Sequence, residues 1–164
     1  MTASGTPLVA YRAFFHHVQF LQATANAVSA TAGPAALRSY WQMHIGLSDK
    51  EAAQLNDIAA AHVPAIDAIE QQAATVIRNY RGSYTEGRLP TASSLPAPPA
   101  ELGQLQKQRD DLTSIHIQNL RNAFSADSFA RLDAYIKSNY LNHATMPSGL
   151  RPISQNPFLR KPKQ

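Results

Sequence analysis

The sequence contains no cysteine, and only seven of its 164 residues are glycine. The lack of cysteine excludes disulfide bonds, thiol nucleophiles and cysteine-ligated zinc sites. The few glycines form no phosphate-binding loop of the kind that opens a helix in nucleotide-binding proteins. No uncharged apolar run approaches the ~20 residues that a membrane-spanning helix requires. The sequence therefore predicts neither a membrane span nor chemistry that depends on cysteine or on a glycine-rich loop.

Charge is sparse and unevenly distributed. Charged residues make up 16% of the chain, below the usual quarter. The formal net charge of +4 comes entirely from the end of the chain, in Arg151, Arg160, Lys161 and Lys163. A nucleic-acid-binding domain normally carries its basic residues on one face of the fold. We therefore predict no nucleic-acid partner.

Apolar residues recur every three or four positions along five segments, which predicts five helices. The segments are approximately 11–32, 34–44, 48–80, 99–124 and 125–142. We expect an all-α bundle of one domain, residues 1–143, built on a long kinked antiparallel hairpin with an N-terminal helical pair packed on it. A proline-rich connector, residues 82–98, joins the two arms of the hairpin. Because Pro64 removes one backbone hydrogen bond, a kink or a break is expected near His62–Val63.

Residues 144–164 form a basic tail in which Pro147, Pro152, Pro157 and Pro162 recur at every fifth position. This spacing forbids a helix and favours an extended chain. The tail is either a disordered end or a strap that lies along its own domain or a partner. In the second case the protein would be a structural or assembly subunit.

The two arms of the hairpin can be aligned so that their apolar stripes face each other, with Leu55 opposite Ala123 and Val76 opposite Leu102. A shift by one heptad also aligns the stripes, so the register is not unique. In the first register His62 and His116 face each other.

Two imidazoles and a carboxylate can bind a metal ion, and Asp57 and Asp67 are the carboxylates nearest to His62 in sequence. Alternatively, the two histidines simply hydrogen-bond the backbone beside the proline. No spacing unites serine, histidine and aspartate residues into a catalytic set. We therefore predict no enzyme activity and no cofactor, and we keep His62 and His116 as a candidate metal or small-ligand site.

Two helix starts share a pattern of an apolar residue, a serine cap and an acid-containing first turn: Leu47-Ser48-Asp49-Lys50-Glu51 and Phe124-Ser125-Ala126-Asp127-Ser128. Ser48 and Glu51 predict a capping box, in which each side chain accepts a hydrogen bond from the other residue's backbone N–H. Phe124 and Phe129 flank the second cap at the spacing of a hydrophobic staple.

These two helix starts resemble the paired LTxxQ motifs of the Spy/CpxP family, small all-helical proteins of the bacterial periplasm. The resemblance covers roughly residues 45–140. Ser48 and Ser125 stand in place of Thr, and Phe124 stands in place of Leu. Glu51 and Ser128 stand in place of Gln. The resemblance implies an ATP-independent chaperone, usually dimeric, and some relatives bind metals through histidines.

The expected function is therefore non-enzymatic binding of polypeptide clients or a partner protein. Arginines that surround apolar surface would keep the complex in solution, and the candidates are Arg78, Arg81, Arg109 and Arg121. The alternatives are a metal- or small-ligand-sensing bundle and an assembly subunit. The first residues of the chain lack the features of a signal peptide. A periplasmic or secreted location is expected only if a signal has been removed, and the location is otherwise unknown.

Overall fold

The computed structural model describes residues 6–29, 31–83 and 97–141. Within these ranges the chain forms five helices and no strand: α1 (Leu8–Val28), α2 (Gly33–Ile45), α3 (Asp49–Gly82), α4 (Ala100–Ala123) and α5 (Ala126–Tyr140). The predicted all-α fold is confirmed. Most of the connector, residues 84–96, and the whole predicted tail, residues 144–164, lie outside the described residues.

Local signals in the sequence explain where the second and third helices begin and end. Pro34 lies in the first turn of α2, where its missing N–H costs nothing. Gly46 ends α2 in the left-handed conformation, with φ of 74°, which glycine adopts without steric penalty. Ser48 then caps α3, so only three residues separate the two helices. This tight connection places the end of α2 beside the start of α3.

Helix α3 continues through Pro64, so the break that was one of the two expected outcomes near His62–Val63 does not occur. A proline inside a helix costs about 3 kcal/mol. The turn around Pro64 buries His62, Val63 and Ile66, and the contacts of these three side chains offset that cost. Packing therefore decides the outcome at this position, against the local preference of proline.

The core lies where α1 and α2 cover one end of the α3–α4 hairpin. Tyr11, Phe14, Phe15 and Trp41 are completely buried. The Phe14 ring packs edge-on against Trp41, with 5.6 Å between the ring centroids, and such aromatic pairs add stability beyond their buried area. The aromatic N-terminal helices therefore close the bundle over this part of the hairpin.

The rest of the hairpin extends beyond the core. No residue of α3 after Ile66 is buried, and the first buried residue of α4 is Leu105. The two helices continue together in this region with half-buried residues such as Val76 and Tyr80. Within the described ranges, none of the helices has the length and apolar character needed to cross a membrane.

Candidate functional site

The two similar helix starts, at Ser48 and Ser125, lie close together, and the Glu51 side chain hydrogen-bonds to both. Its carboxylate accepts hydrogen bonds from the backbone N–H of Ser48 at 2.9 Å and from the backbone N–H of Ser125 at 3.1 Å. It also accepts a bond from the Ser128 hydroxyl at 3.1 Å. One carboxylate therefore satisfies donors at the starts of both α3 and α5, which otherwise have no partner within their helices.

The predicted capping chemistry is confirmed at both starts. The Ser48 hydroxyl accepts from the Glu51 N–H at 3.2 Å, which completes the capping box. The Ser125 hydroxyl accepts from the Ser128 N–H at 3.1 Å. The apolar residues that flank these caps are all buried in the core: Leu47, Phe124 and Phe129.

Arg131 adds the end of α2 to this cluster. Its guanidinium donates to the carbonyl oxygens of Ile45 at 3.0 Å and Gly46 at 2.9 Å, and to the Ser128 hydroxyl at 3.0 Å. A cation is favourable at the C-terminal end of a helix, where carbonyl groups lack partners. We name Ser48, Glu51, Ser125, Ser128 and Arg131 the cap cluster. It fixes three helix ends.

The pKa of Glu51 reflects two opposing effects. Burial of the carboxylate raises the pKa, whereas hydrogen bonds from the backbone of Ser48 and Ser125 and from the Ser128 hydroxyl lower it. The hydrogen bonds prevail, and the pKa of Glu51 lies below its ordinary value. The cap cluster therefore holds an ionised carboxylate without a paired cation on it.

His62 and His116 face each other across the hairpin, as the first register predicts. Their Nδ1 atoms are 2.9 Å apart, so one imidazole donates its Nδ1–H to the other. The His62 ring is completely buried and packs on Phe15, with 4.4 Å between ring centroids. Its Nε2 atom has no hydrogen-bond partner among the residues that the structure describes. The two residues pair with each other through their side chains, not with the backbone beside Pro64.

Burial lowers the pKa of both histidines. The pKa of His62 falls to about 3, first because of burial and then because of positive charge on His116, His16 and Arg12. Burial alone lowers the pKa of His116. The unprotonated pair is thus the stable form at neutral pH, and unprotonated imidazole is the form that binds metals.

Neither carboxylate considered for the metal site joins the histidine pair. Asp67 lies 4.0 Å from His16 on α1, and Asp57 is exposed. In the described part of the chain, no three histidine, cysteine, aspartate or glutamate side chains come together as a metal site would require. The structure thus brings together two of the proposed ligands and not a third.

The four arginines proposed to bind polypeptides are dispersed. Arg109 lies 4.0 Å from Glu70 in the middle of the hairpin, whereas the Arg121 guanidinium lies over the Phe129 ring at 4.9 Å. These two are about 18 Å apart along α4, at 1.5 Å per residue. Arg78 and Arg81 are exposed near the far end of α3. The four therefore do not line one groove.

Sequence reasoning missed a buried acid that joins α1 to α5. Asp133 accepts hydrogen bonds from the Tyr11 hydroxyl at 2.5 Å and from the Thr6 hydroxyl at 3.1 Å. Burial and then the bond to Asp133 raise the pKa of Tyr11. From the sequence alone, Asp133 is expected to be an ordinary acidic residue on the surface of a helix. Nothing local reveals that the first helix of the chain covers it.

The structure also contains an apolar groove that no motif indicates. It lies between the second half of α1 and the first half of α2, with a volume of about 340 Å³. Its lining residues are Leu21, Thr24, Ala25, Val28, Ser29, Ala32, Gly33, Ala36, Leu37 and Tyr40. None of them is charged. We name this feature the α1–α2 groove.

The α1–α2 groove is open to solvent and has large apolar side chains on it and near it. Val28, which lines the groove, is 83% exposed, and Phe20, one residue before Leu21, is 65% exposed. Exposed apolar surface of this kind is typical of interaction sites. At one end the two helices touch, because Gly33 lies so close to α1 that a Cβ atom there would be 2.3 Å from the Ala25 carbonyl oxygen.

The described residues thus provide a structural cap cluster, a buried histidine pair and an open apolar groove. Of these three features, the groove is the one that presents apolar side chains to solvent. When the chain was compared with models of protein families, with curated proteins and with solved structures, no match was found in any of the three comparisons.

Proposed function

We propose that this protein is non-enzymatic and binds extended apolar segments of other polypeptides, weakly and reversibly, in the α1–α2 groove. The observation that carries the proposal is the groove itself, an uncharged channel between two helices with exposed Val28 at its edge. Its open shape suits a chain that enters from the side, whereas small-molecule sites usually enclose most of their ligand.

The size of the groove sets the expected strength of binding. A channel of about 340 Å³ admits two or three aliphatic side chains. Each contributes roughly 1.5–3 kcal/mol on burial, and ordering of the bound chain offsets much of that gain. The expected dissociation constant is therefore on the order of 10 μM to 1 mM. Such binding lets a client leave again, as a chaperone requires.

A Spy/CpxP-like chaperone role, with a periplasmic location and a homodimer, is part of the same proposal. Its support is that the two helix starts on which the resemblance depends are joined through Glu51. Because α1 and α2 cover the end of the hairpin that holds the core, we assign client binding to the α1–α2 groove between them. The four dispersed arginines would then act as separate surface charges that keep the complex in solution.

An aggregation assay with a matched pair of variants tests the proposal. Ala36 lines the groove and is exposed, and its neighbour Ala35 is exposed but does not line it. Light scattering of reduced α-lactalbumin should be suppressed by a stoichiometric amount of the wild-type protein and of Ala35→Glu. It should not be suppressed by Ala36→Glu, which places a charge in the groove. Absence of suppression by the wild type would overturn the proposal.

A second candidate is metal or small-ligand sensing at His62 and His116. The close approach of the two Nδ1 atoms favours it, because a small outward movement would reach the separation of about 3.3 Å that two nitrogens have on one tetrahedral zinc ion. Solvent molecules would have to complete the coordination. Zinc titration of wild-type protein and His62→Ala tests this candidate, and equal affinities would exclude it.

A further inference from the structure

The hydrogen bond between His62 and His116 joins two ring nitrogens of the same kind. Their Nδ1 atoms are 2.9 Å apart, and the planes of the two rings are inclined at 74°. In such a bond the N–H of one imidazole points towards the lone pair of the other. One hydrogen atom therefore lies between two nitrogens that face each other nearly in line.

The surroundings of the pair add no further ligand of the usual kinds for a cation. Within residues 6–29, 31–83 and 97–141, no third histidine, aspartate or glutamate side chain joins these two. The His62 side chain is completely buried, and the Phe15 ring packs on it. The sequence has no cysteine that could supply a thiolate. The protein thus offers a cation two nitrogen ligands, one from each side.

The charge around the pair favours an ion of low charge. The side chains of α1 that act electrostatically on His62 are Arg12, which is a cation, and His16, which becomes one when it is protonated. The nearby carboxylates of Asp110 and Asp67 lie beside these two side chains, at 2.9 Å and 4.0 Å. Because the cost of moving an ion out of water rises with the square of its charge, a monovalent ion is favoured over a divalent one.

We propose that His62 and His116 bind one copper(I) ion in linear two-coordinate geometry, with the ion in the position of the bridging hydrogen. The inference rests on the second candidate function, metal sensing, and specifies its ion. Copper(I) carries a single charge, accepts imidazole nitrogen and is complete with two ligands in a line. Zinc requires four ligands in a tetrahedron and copper(II) prefers a square-planar set, whereas the pair supplies two.

The exchange of hydrogen for copper leaves both histidines neutral. Each neutral imidazole carries one hydrogen atom, and the donor of the pair carries it on Nδ1. When both Nδ1 atoms bind the ion, the donor ring loses that hydrogen to water and takes one from water at its Nε2 atom. No net proton is released, and the site gains a single positive charge.

The pair must open slightly to admit the ion. A metal–nitrogen bond of about 2 Å on each side requires about 4 Å between the two Nδ1 atoms, roughly 1 Å more than the observed distance. The His116 side chain is half-buried, so its ring has room to move. Pro64 has no N–H to bond the Ala60 carbonyl, so the turn of α3 that carries His62 is held less tightly. Pro64 thus gives the site the freedom that ion binding needs.

Titration of the full chain with copper(I) tests the proposal. The ion is supplied without oxygen, in competition with bicinchoninate, whose coloured copper(I) complex reports how much copper the protein has taken. We expect one ion per chain, bound on the order of 100-fold more tightly than zinc in the same buffer. X-ray absorption of the loaded protein should show two nitrogen neighbours in a line. Tighter binding of zinc, or three or four neighbours around copper, would overturn the proposal.

Variants separate the histidine pair from other copper(I) ligands. His62→Ala and His116→Gln should each weaken copper(I) binding about 100-fold, because one of two ligands is lost. His116→Gln changes a half-buried side chain, so it keeps the test decisive if His62→Ala does not fold. His44 is exposed beside the exposed thioether of Met43, and His44→Gln should leave the affinity unchanged. Wild-type affinity in His116→Gln, or loss of binding in His44→Gln, would contradict the proposal.

The same titrations separate failure of this inference from failure of the functions proposed above. Zinc binding that is tighter than copper(I) binding and is lost in His62→Ala would support metal sensing and contradict the assignment of copper(I). Absence of binding by either ion would exclude both. The aggregation assay with Ala36→Glu tests the α1–α2 groove alone, and its result is independent of the ion.

Discussion

At the scale of single residues, the most consequential side chain is Glu51. It lies 9% exposed at the point where α3 and α5 begin, and three donors converge on it. The sequence indicates only its local role in the capping box with Ser48. Its second role, at Ser125 and Ser128, depends on the position of α5, which no local pattern encodes.

Replacing Glu51 should therefore cost more than the loss of one helix cap. In Glu51→Ala, two backbone N–H groups and one hydroxyl lose their acceptor, and we expect a loss of about 2–4 kcal/mol in the free energy of unfolding. Glu51→Gln keeps one carbonyl oxygen and should lose roughly half as much. Urea unfolding measures both. Glu101→Ala, an exposed acid in the first turn of α4, should change stability by no more than about 0.5 kcal/mol.

An equal effect for Glu51→Ala and Glu101→Ala would contradict the role of Glu51 as the link between α3 and α5. The comparison is informative because both residues lie in the first turn of a helix, where a carboxylate is favourable. Only Glu51 has donors from a second helix.

The histidine pair should make stability depend on pH in the acid range. The pKa of His62 is about 3 in the folded protein and 6.5 in an unfolded chain, so the unfolded chain binds the proton first. Stability should therefore fall as the pH decreases from 6.5 towards 3, by at most roughly 1.4 kcal/mol per pH unit from this residue. The lowered pKa of His116 acts in the same direction.

Urea unfolding between pH 7 and pH 5 measures this slope. His62→Leu removes the titrating group from a fully buried position and should flatten the slope, with a residual contribution from His116. Met43→Gln, a non-titrating substitution at an exposed position near the end of α2, should leave the slope unchanged. A slope that persists in full in His62→Leu would contradict the assignment. Glu51, whose pKa is lowered, also loses its contribution as the pH falls, but mainly below its ordinary pKa.

At the scale of elements, the sequence defines the helices well because each one carries its own signals. Apolar periodicity locates all five, and Gly46, Ser48 and Ser125 mark boundaries that the structure reproduces. The apolar stripes restrict the hairpin to a few registers without choosing among them, and the structure has the one that brings His62 opposite His116. Pro64 does not end α3, because the local preference of proline is weaker than the packing of the turn that contains it.

The α1–α2 groove could not be predicted from the same signals. Leu21, Ala25 and Leu37 continue the apolar stripes of their helices and would be taken for ordinary core. They line an open groove because α5 ends at Tyr140, before it covers them. The relative lengths and positions of three helices determine this exposure, and periodicity within one helix contains no such information.

The close contact of α1 with α2 at Gly33 leads to a prediction at the element scale. A Cβ atom on Gly33 would lie 2.3 Å from the Ala25 carbonyl oxygen, a backbone atom that moves only with its helix. Gly33→Ala should therefore separate the two helices and lower the free energy of unfolding by about 1–3 kcal/mol. Thermal and urea unfolding provide the measurement.

Gly103→Ala is the matched control. Gly103 lies within α4, and a Cβ atom there meets nothing within 4 Å. This substitution should stabilise the protein by about 0.5–1 kcal/mol, because alanine favours helix more than glycine does. If Gly33→Ala were as stable as Gly103→Ala, the close packing at the end of the groove would be refuted.

At the scale of the whole molecule, the described part of the chain combines a buried core with two exposed features. The cap cluster and the aromatic residues of α1 and α2 fix one end of the hairpin. The far end of the hairpin and the α1–α2 groove remain outside that core. The four arginines illustrate a limit of sequence reasoning at this scale, because Arg109 and Arg121 share a helix but lie far apart on it with different partners.

The central claim is that polypeptides bind in the α1–α2 groove, and NMR titration of the ¹⁵N-labelled full chain with reduced α-lactalbumin tests it most directly. We predict that chemical-shift changes concentrate on Leu21, Ala25, Ala36 and Tyr40, that Ala36→Glu abolishes them and that Ala35→Glu retains them. Changes confined to the far end of the hairpin around Arg78, or no changes at millimolar client, would contradict the claim.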